Sequence, residues 1–504
     1  VNFYKNNTFQ VATEMTCGSK YSDNYRPDIT IFVNGLPLAF IEVKKENNHK
    51  GIQAETDRMK QRFVNPQYRR FLNITQIMVF SNDMEYDNNE VTPTIGAFYA
   101  TIGKKNTKYN CFREEGQDSF PTARHIHQVT PEEEEVLLRD NNVPQYKNSS
   151  EYKTNCLANT PTKRICDSLF SFNRFHFLLK YGIAYVDYPN GLQKHIMRYQ
   201  QMFASLAIRQ QISEGATSGV VWHTQGSGKT ALSFYLTYVL SDYYSKKNMV
   251  AKFYFIVDRI DLLEQAKQEF ESRGLVVSTA NTKAELMAQF RNNQAQQGTS
   301  GHQEITVVNI QRFAEDKEKV DLPAYATNLQ RIFIMDEAHR GYKPGGCFLA
   351  NLFDADPNSI KIALTGTPLL KADCASSVVF QRYFHTYYYD RSIADGYTLK
   401  IIREDIETSY KERLSEVYDK LETLVQKKDI KRSQIIEHDS YVGELARYIA
   451  ADLTQFRKIQ GDETLGGMVI CETSEQARKL YEAFQNLNDG GEAKTIQIKL
   501  DGNE

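Results

Sequence analysis

The chain is poor in cysteine, holds one tryptophan, has no long apolar run and carries almost no net charge. Each shortage excludes something. No stretch approaches the ~20 apolar residues that cross a bilayer, so a membrane-spanning helix is not expected. The seven cysteines (Cys17, Cys111, Cys156, Cys166, Cys347, Cys374 and Cys471) form no C-x-x-C pair. That dispersal argues against a disulfide framework and a zinc site, and points to a reducing cytoplasm. With 61 Lys and Arg against 63 Asp and Glu, the formal net charge is −2. No global positive field marks a nucleic-acid binder, so any such contact must come from local basic patches. There is no internal repeat, no low-complexity tract and no signal peptide. The chain opens at Val1 without a methionine, and is expected to be a piece of a longer protein.

What is present is ordinary for a globular protein: 504 residues, 41% hydrophobic and 25% charged. At ~100–200 residues per domain, three or so domains follow. Short β-type runs at 29–33, 38–43 and 77–80, with a helix-like stretch at 51–71, make an α/β unit. Residues 115–160 are polar, and the acidic run 132–135 reads as a solvated face or linker. From about 190, apolar strands (220–222, 253–257, 305–308, 332–335, 362–364) alternate with helix-length segments. That alternation predicts a parallel sheet covered on both faces. After about 400 come helices at 412–428 and 441–458. A strand (467–471), a helix (474–486) and a strand (495–500) follow, and read as the opening of a second, incomplete α/β domain. The expected boundaries are 1–170, 190–398 and 399–504.

Two constellations carry chemistry. The first is His223-Thr224-Gln225-Gly226-Ser227-Gly228-Lys229-Thr230, between an apolar strand and a helix, the setting a phosphate-binding loop requires. The glycines let backbone N–H groups form an anion nest at a helix N-terminus. Lys229 then reaches the β/γ-phosphates and the Thr230 hydroxyl ligates Mg²⁺. About a hundred residues on, the strand 332–335 delivers Asp336-Glu337-Ala338-His339. There Asp336 is placed to hold Mg²⁺ and Glu337 to activate the attacking water. Leu364-Thr365-Gly366-Thr367-Pro368, at another strand end, carries hydroxyls placed to sense the γ-phosphate.

The second constellation is Arg26-Pro27-Asp28 with Glu42-Val43-Lys44 fourteen residues later. Strand alternation puts Glu42 and Lys44 on one face. Two carboxylates and a lysine converging on one point suit phosphodiester hydrolysis with Mg²⁺, the lysine offsetting charge on the reacting phosphate. Geometry sets a condition. A plain two-residue Asn34-Gly35 hairpin pairs Asp28 with Ile41 and turns it away from Glu42. A shared metal therefore predicts an odd loop or a β-bulge between the strands. Glu14 is a further candidate carboxylate for the metal shell, although a surface glutamate is the simpler reading.

Together these motifs resemble known families. Residues 190–400 look like a superfamily 2 helicase motor with a DEAH box. Arg198-Tyr199-Gln200-Gln201 is similar to its adenine-reading motif, with Gln201 as the reader, and 257–262 and 309–313 to its DNA-side segments. Asp28, Glu42 and Lys44 match PD-(D/E)xK nucleases. Nuclease before motor, Asn34-Gly35-Leu36-Pro37 and Asp395-Gly396-Tyr397 resemble the restriction (R) subunit of type I restriction enzymes. Type III subunits place the nuclease after the motor.

That resemblance implies an α/β architecture, a PD-(D/E)xK nuclease domain followed by RecA-like parallel-sheet domains. It implies an ATP-dependent endonuclease that translocates duplex DNA and cuts it away from the recognition site. The cofactors are Mg²⁺ and ATP. The metal ligands are Asp28, Glu42 and Val43, which has only its backbone carbonyl to offer, with Thr230 and Asp336 in the motor. The nucleotide site is 224–230 with Gln201 and Asp336, and the catalytic residues are Asp28, Glu42, Lys44 and Glu337. The partners are double-stranded DNA and the specificity and modification (methyltransferase) subunits.

The chain departs from the family in lacking a Q-x-x-x-Y element after Lys44; 58–63 (Arg-Met-Lys-Gln-Arg-Phe) occupies the expected helix. One rival reading is a superfamily 2 helicase of repair or RNA metabolism without nuclease activity. Another is a non-catalytic DNA-binding scaffold, against which the intact Lys229, Asp336 and Glu337 argue. In this family a late motif of the second RecA-like domain supplies an arginine, and no segment before Glu504 matches it. The 504 residues alone are therefore expected to bind ATP and hydrolyse it only marginally.

Overall fold

The structure, a computed structural model, describes residues 5–16, 25–44, 51–84, 97–101, 108–115, 129–157, 160–189, 191–291, 303–309, 328–337, 356–367, 382–398, 435–461 and 465–487, with residue 353 and parts of 411–420. It divides into two compact units, Val1–Lys400 and Ile401–Glu504.

The first unit opens with a six-stranded sheet in sequence order: β1 (Phe9–Thr13), β2 (Ile29–Val33), β3 (Leu36–Val43), β4 (Ile77–Ser81), β5 (Ala97–Thr101) and β6 (Lys108–Cys111). Only the β3–β4 pair among these is parallel, because α1 (Gly51–Val64) and α2 (Pro66–Ile74) carry the chain back between them. The expected single helix at 51–71 is broken at Asn65-Pro66. Proline cannot donate inside a helix but fits its first turn, and the Asn65 side chain caps α2 by accepting from Gln67 N–H. Phe40, Met78 and Phe80 of the sheet pack with Met59, Tyr68 and Leu72 of the two helices. Residues of opposite parity, Ala39, Ile41, Ile77 and Val79, join the core shared with the motor.

The acidic run is a solvated helix face and not a linker. It lies in α3 (Pro131–Asp140), started by a capping box in which Thr130 and Glu133 satisfy each other's backbone N–H groups. A 3₁₀ turn (Pro144–Asn148), α4 (Ser150–Asn155), α5 (Pro161–Leu169), α6 (Phe172–Tyr181) and the hairpin β7 (Ile183–Tyr188)–β8 (Gly191–Ile196) lead to α7 (Tyr199–Ser213).

The motor sheet has seven parallel strands. They are β9 (Ser218–His223), β10 (Val250–Val257), β11 (Val276–Ala280), β12 (Glu304–Asn309), β13 (Leu329–Met335), β14 (Ile360–Thr365) and β15 (Tyr383–Tyr387), in spatial order β11-β12-β10-β13-β14-β9-β15. Helices α8 (Lys229–Ser245), α9 (Ile260–Glu271) and α10 (Lys283–Arg291) lie between strands, and α11 (Tyr389–Ala394) follows the last. Every residue of β13 is buried, as expected of a central strand covered on both faces.

Asp395 ties the two sheets together. Its Oδ1 accepts from Arg113 Nε at 2.6 Å, just beyond β6, and its Oδ2 accepts from the hydroxyls of Tyr199 in α7 and Tyr387 in β15. The neighbouring Tyr397 donates to Asn110 of β6, and the Arg198 guanidinium lies 4.3 Å from the Tyr397 ring centre. Removing the carboxylate strands Arg113 and two buried phenols. Asp395→Ala is expected to destabilise this unit by about 3–5 kcal/mol, the usual cost of breaking a buried pair from one side. Urea denaturation of the intact chain measures it. A change within the scatter of surface substitutions would show that the hub does not hold the sheets.

In the second unit, α12 (Asp439–Gln460) packs on α13 (Ser474–Leu487) through Val442, Ala446 and Leu480. The expected strand at 467–471 is not one. Among the described residues nothing pairs with it, and Met468 and Ile470 are about 85% exposed. A strand exists only through its ladder, and its apolar composition cannot replace a neighbour. The expected strand at 495–500 lies outside the described residues.

Candidate functional site

The nuclease constellation converges because of one irregularity in the hairpin. Asn34 and Gly35 both take positive φ (51° and 77°), which makes the tight two-residue turn. That turn sets Val33 opposite Leu36, and unbroken pairing would then set Asp28 opposite Ile41. The register instead slips after Phe32↔Pro37, so that Ile31 faces Ala39 and Leu38 is the extra residue. Ile29 now lies opposite Ile41. Continued by one residue, that register sets Asp28 level with Glu42, and residues opposite each other in an antiparallel pair point the same way.

Asp28 Oδ2 accepts the Val43 N–H at 2.7 Å, anchoring its carboxylate on the strand bearing Glu42. Glu42 is 4% exposed, yet two cations flank it. Lys44 Nζ lies 3.6 Å from its Oε2, and Arg62 Nη1, from α1, lies 3.4 Å from its Oε1. Among the described residues no group of three or more His, Cys, Asp or Glu side chains could hold a metal. A divalent ion here would have two carboxylates and backbone oxygen, a donor set that suits Mg²⁺, which keeps much of its water. Glu14 stands aside, 66% exposed in its side chain and paired with Arg26 at 3.7 Å. Arg62 was invisible to motif reading, since it lies twenty residues from Glu42 on a separate helix with no pattern linking them.

The motor residues gather at the carboxyl ends of β13, β14 and β9, three adjacent strands, where parallel sheets bind ligands. Gly226 and Gly228 have φ of 78° and 85°, the left-handed conformations a nest needs. Gly228 begins α8. A Cβ there would meet Gln201 Nε2 at 2.4 Å, so the position demands glycine twice over. His223, at a position the strict motif gives to glycine, needs no such freedom. Its ring turns into the core, where Nε2 is 2.8 Å from His385 Nδ1, and His385 in turn reaches Glu115. Burial, then the neighbouring His385 and Lys229, hold the His223 ring well below its ordinary pKa, so it is neutral at physiological pH.

Lys229 Nζ is 3.4 Å from His223 O, Ser227 Oγ donates to Thr224 O, and the Thr224 hydroxyl is buried without a hydrogen-bond partner among the described residues. Gln201 Oε1 caps α7 by accepting from Arg198 N–H, while its Nε2 donates to Gly228 O at 2.9 Å. Gln200 leans on Ser227 O at 3.4 Å and Arg198 donates to Gly226 O at 3.0 Å, so the whole 198–201 segment backs the loop. Thr230 opens α8 half-buried. The backbone of Gln225 lies 3.5 Å from where a Cβ on Gly366 would be, which sets the 365–367 segment against the loop.

Asp336 extends the β13 ladder by one bond, its N–H donating to Ile256 O at 2.9 Å. Glu337 then turns sharply, with φ of 47°, a strained conformation for a residue with a side chain. Burial pushes the Asp336 carboxyl up to about 6, with Glu337 and Asp258 adding to the rise and Lys229 opposing it. A buried carboxylate facing a lysine across the sheet end is a fitting place for a divalent cation and a triphosphate. Ala338, His339, Pro368 and 310–313 lie outside the described residues.

Known proteins match the two regions of the chain that hold these residues. Residues 200–434 match the family model of the SWI2/SNF2 ATPase, and residues 2–90 that of the type I restriction enzyme R protein N terminus. The SauCOLORF180P endonuclease subunit, a type I restriction enzyme of Staphylococcus aureus (strain COL), is 25% identical over 500 residues, covering 96% of this chain and 44% of the relative. The chain is similar, along nearly its whole length, to the R subunits of type I restriction enzymes. The HindI endonuclease subunit of Haemophilus influenzae is 32% identical over 200 residues, 37% of this chain and 18% of that protein. The chain thus spans less than half the length of the curated relatives it matches. A Sulfolobus solfataricus SWI2/SNF2 ATPase core in complex with double-stranded DNA aligns with a TM-score of 0.26 at 13% identity, over 62% of this chain and 66% of that one.

Proposed function

We propose that this chain is the nuclease and motor part of an ATP-dependent type I restriction endonuclease subunit. The intact subunit translocates duplex DNA by ATP hydrolysis and cleaves it by Mg²⁺-dependent phosphodiester hydrolysis away from the recognition site. It works with specificity and modification (methyltransferase) subunits, which choose the sequence. The observation that carries this reading is the bulge that aligns Asp28 with Glu42 in the same compact unit as a phosphate loop facing Asp336. An accidental E-x-K has no reason to bring a bulge that turns a distant aspartate onto its face.

The parts follow the proposed domains, 1–170 for the nuclease, 190–398 for the first RecA-like domain and 399–504 for the start of a second. In the nuclease, Asp28, Glu42 and the Val43 carbonyl hold Mg²⁺, which supplies Lewis-acid activation of the phosphodiester. Lys44 aligns the water and offsets charge on the phosphate. In the motor, the loop 224–230 cradles the triphosphate, and Lys229 binds its β/γ-phosphates. Thr230 and Asp336 hold the nucleotide's Mg²⁺, Gln201 takes the adenine contact from beside Gly228, and Glu337 orients the water. The mobile proton of that water passes to the Glu337 carboxylate.

A nicking assay of the intact subunit on duplex DNA and on RNA tests the reading. Cutting of duplex DNA only with Mg²⁺, alongside DNA-stimulated ATPase, is the expected result. An ATPase stimulated by RNA, with no cutting of DNA in the complete complex, would favour a superfamily 2 helicase without nuclease activity.

A further inference from the structure

Arg62 has no place in the nuclease motif, yet its guanidinium is within the cluster. It lies 3.4 Å from Glu42, on the oxygen opposite the one Lys44 approaches. Its plane rests on Tyr25, 4.0 Å from the ring centre, and Tyr25 is 1% exposed, so the platform is rigid. Met59, one turn back on α1, packs against Nη1 at 3.6 Å. An arginine that only neutralised a buried glutamate would be redundant here, because Lys44 already does so.

Charge counting shows what the second cation is for. Asp28 and Glu42 balance Lys44 and Arg62, and a divalent ion then raises the site to plus two. A phosphodiester under attack by hydroxide carries two negative charges in total, one from each reactant. With Lys44 alone the site would fall one charge short. The planar fork of an arginine also matches two phosphate oxygens, which a lysine cannot do.

We propose that Arg62 is a fourth residue of the nuclease site, one that binds the DNA phosphate held against Glu42 and Lys44. It rests on the Glu42 carboxylate in the free protein and passes to the phosphate when DNA enters. The helix it occupies is the one that lacks the Q-x-x-x-Y element, and the phosphate contact there is made by a charged group. This rests on the nuclease reading above.

The test uses the intact subunit in its complex, with Asp28→Ala as reference. Single-turnover cutting by Arg62→Ala should fall on the order of 10²–10³-fold, the usual effect of losing one preorganised charge at a reacting centre. Arg62→Lys should recover part of the loss, and added guanidinium ion should rescue Arg62→Ala but not Asp28→Ala. A second readout needs no cleavage. In Ca²⁺ and without ATP, the slope of log affinity against log salt for a short duplex should drop by about one in Arg62→Ala, as expected for one lost phosphate contact. Near wild-type cutting by Arg62→Ala, or an unchanged salt slope, would overturn the assignment. If Arg62→Ala does not fold, the neutral Arg62→Gln carries the same two readouts. Asp28→Ala cutting like wild type would sink the nuclease reading itself, whereas an inactive Asp28→Ala beside a fully active Arg62→Ala sinks only the role of Arg62.

Discussion

Lys229→Ala in the intact subunit is expected to abolish ATP hydrolysis, with a loss of at least 10²–10³-fold, on the order seen when a preorganised charge on a reacting group is removed. Two effects add. The lysine is the principal side-chain cation of a loop whose other donors are backbone N–H groups and hydroxyls. Its charge also opposes the rise of the Asp336 carboxyl, which already stands at about 6. Without Lys229 that group moves further up, so more of it is protonated at pH 7 and less is available to hold a metal ion. DNA cutting that depends on translocation should fall with it. Steady-state ATPase with and without duplex DNA gives the answer, and turnover near wild type would mean that the phosphate loop is wrongly assigned.

Asp28→Ala and Lys44→Ala should do the opposite. Each is expected to reduce DNA cleavage by roughly 10²–10³-fold or more, because metal holding and charge compensation act on the same reacting phosphate. DNA-stimulated ATPase should persist, since the phosphate loop and Asp336 belong to a different sheet. The two variants need not be equally stable. Asp28→Ala leaves the Val43 N–H without its acceptor, whereas Lys44→Ala leaves Glu42 still facing Arg62. Thermal unfolding of each separates lost chemistry from lost fold. Loss of cutting and ATPase together, in a protein that still unfolds like wild type, would count against two independent sites.

Local chemistry made much of this protein legible from its residues. Short apolar runs alternating with helix-length segments indicate strands covered on both faces, so the parallel motor sheet was readable from the sequence. The glycines of the phosphate loop were readable too, because backbone N–H groups can point inward only at positive φ, as Gly226 and Gly228 do. The nuclease hairpin was legible down to the need for an odd loop or a bulge, since side-chain parity along a strand is strict. Its position, with Leu38 as the extra residue, was not, because either strand could have absorbed the slip.

Other features depended on contacts between distant parts of the chain. Composition marked the acidic run 132–135 as a solvated face or linker, and the Thr130–Glu133 capping box makes it a solvated helix face rather than a linker. Apolar residues at 467–471 marked a strand, but a strand needs a neighbour to complete its ladder, and among the described residues there is none. His223 looked like a flaw in the loop until His385 and Glu115 took its ring into the core. Asp395 and Arg62 act across 282 and 20 residues respectively, and no period or spacing connects either to its partner. The sequence by itself determined which backbones could form strands, turns and the phosphate loop, because those follow from local sterics and side-chain parity. Only the tertiary structure decided which charges meet, because a buried carboxylate takes its counter-ions from whichever elements the core packs beside it.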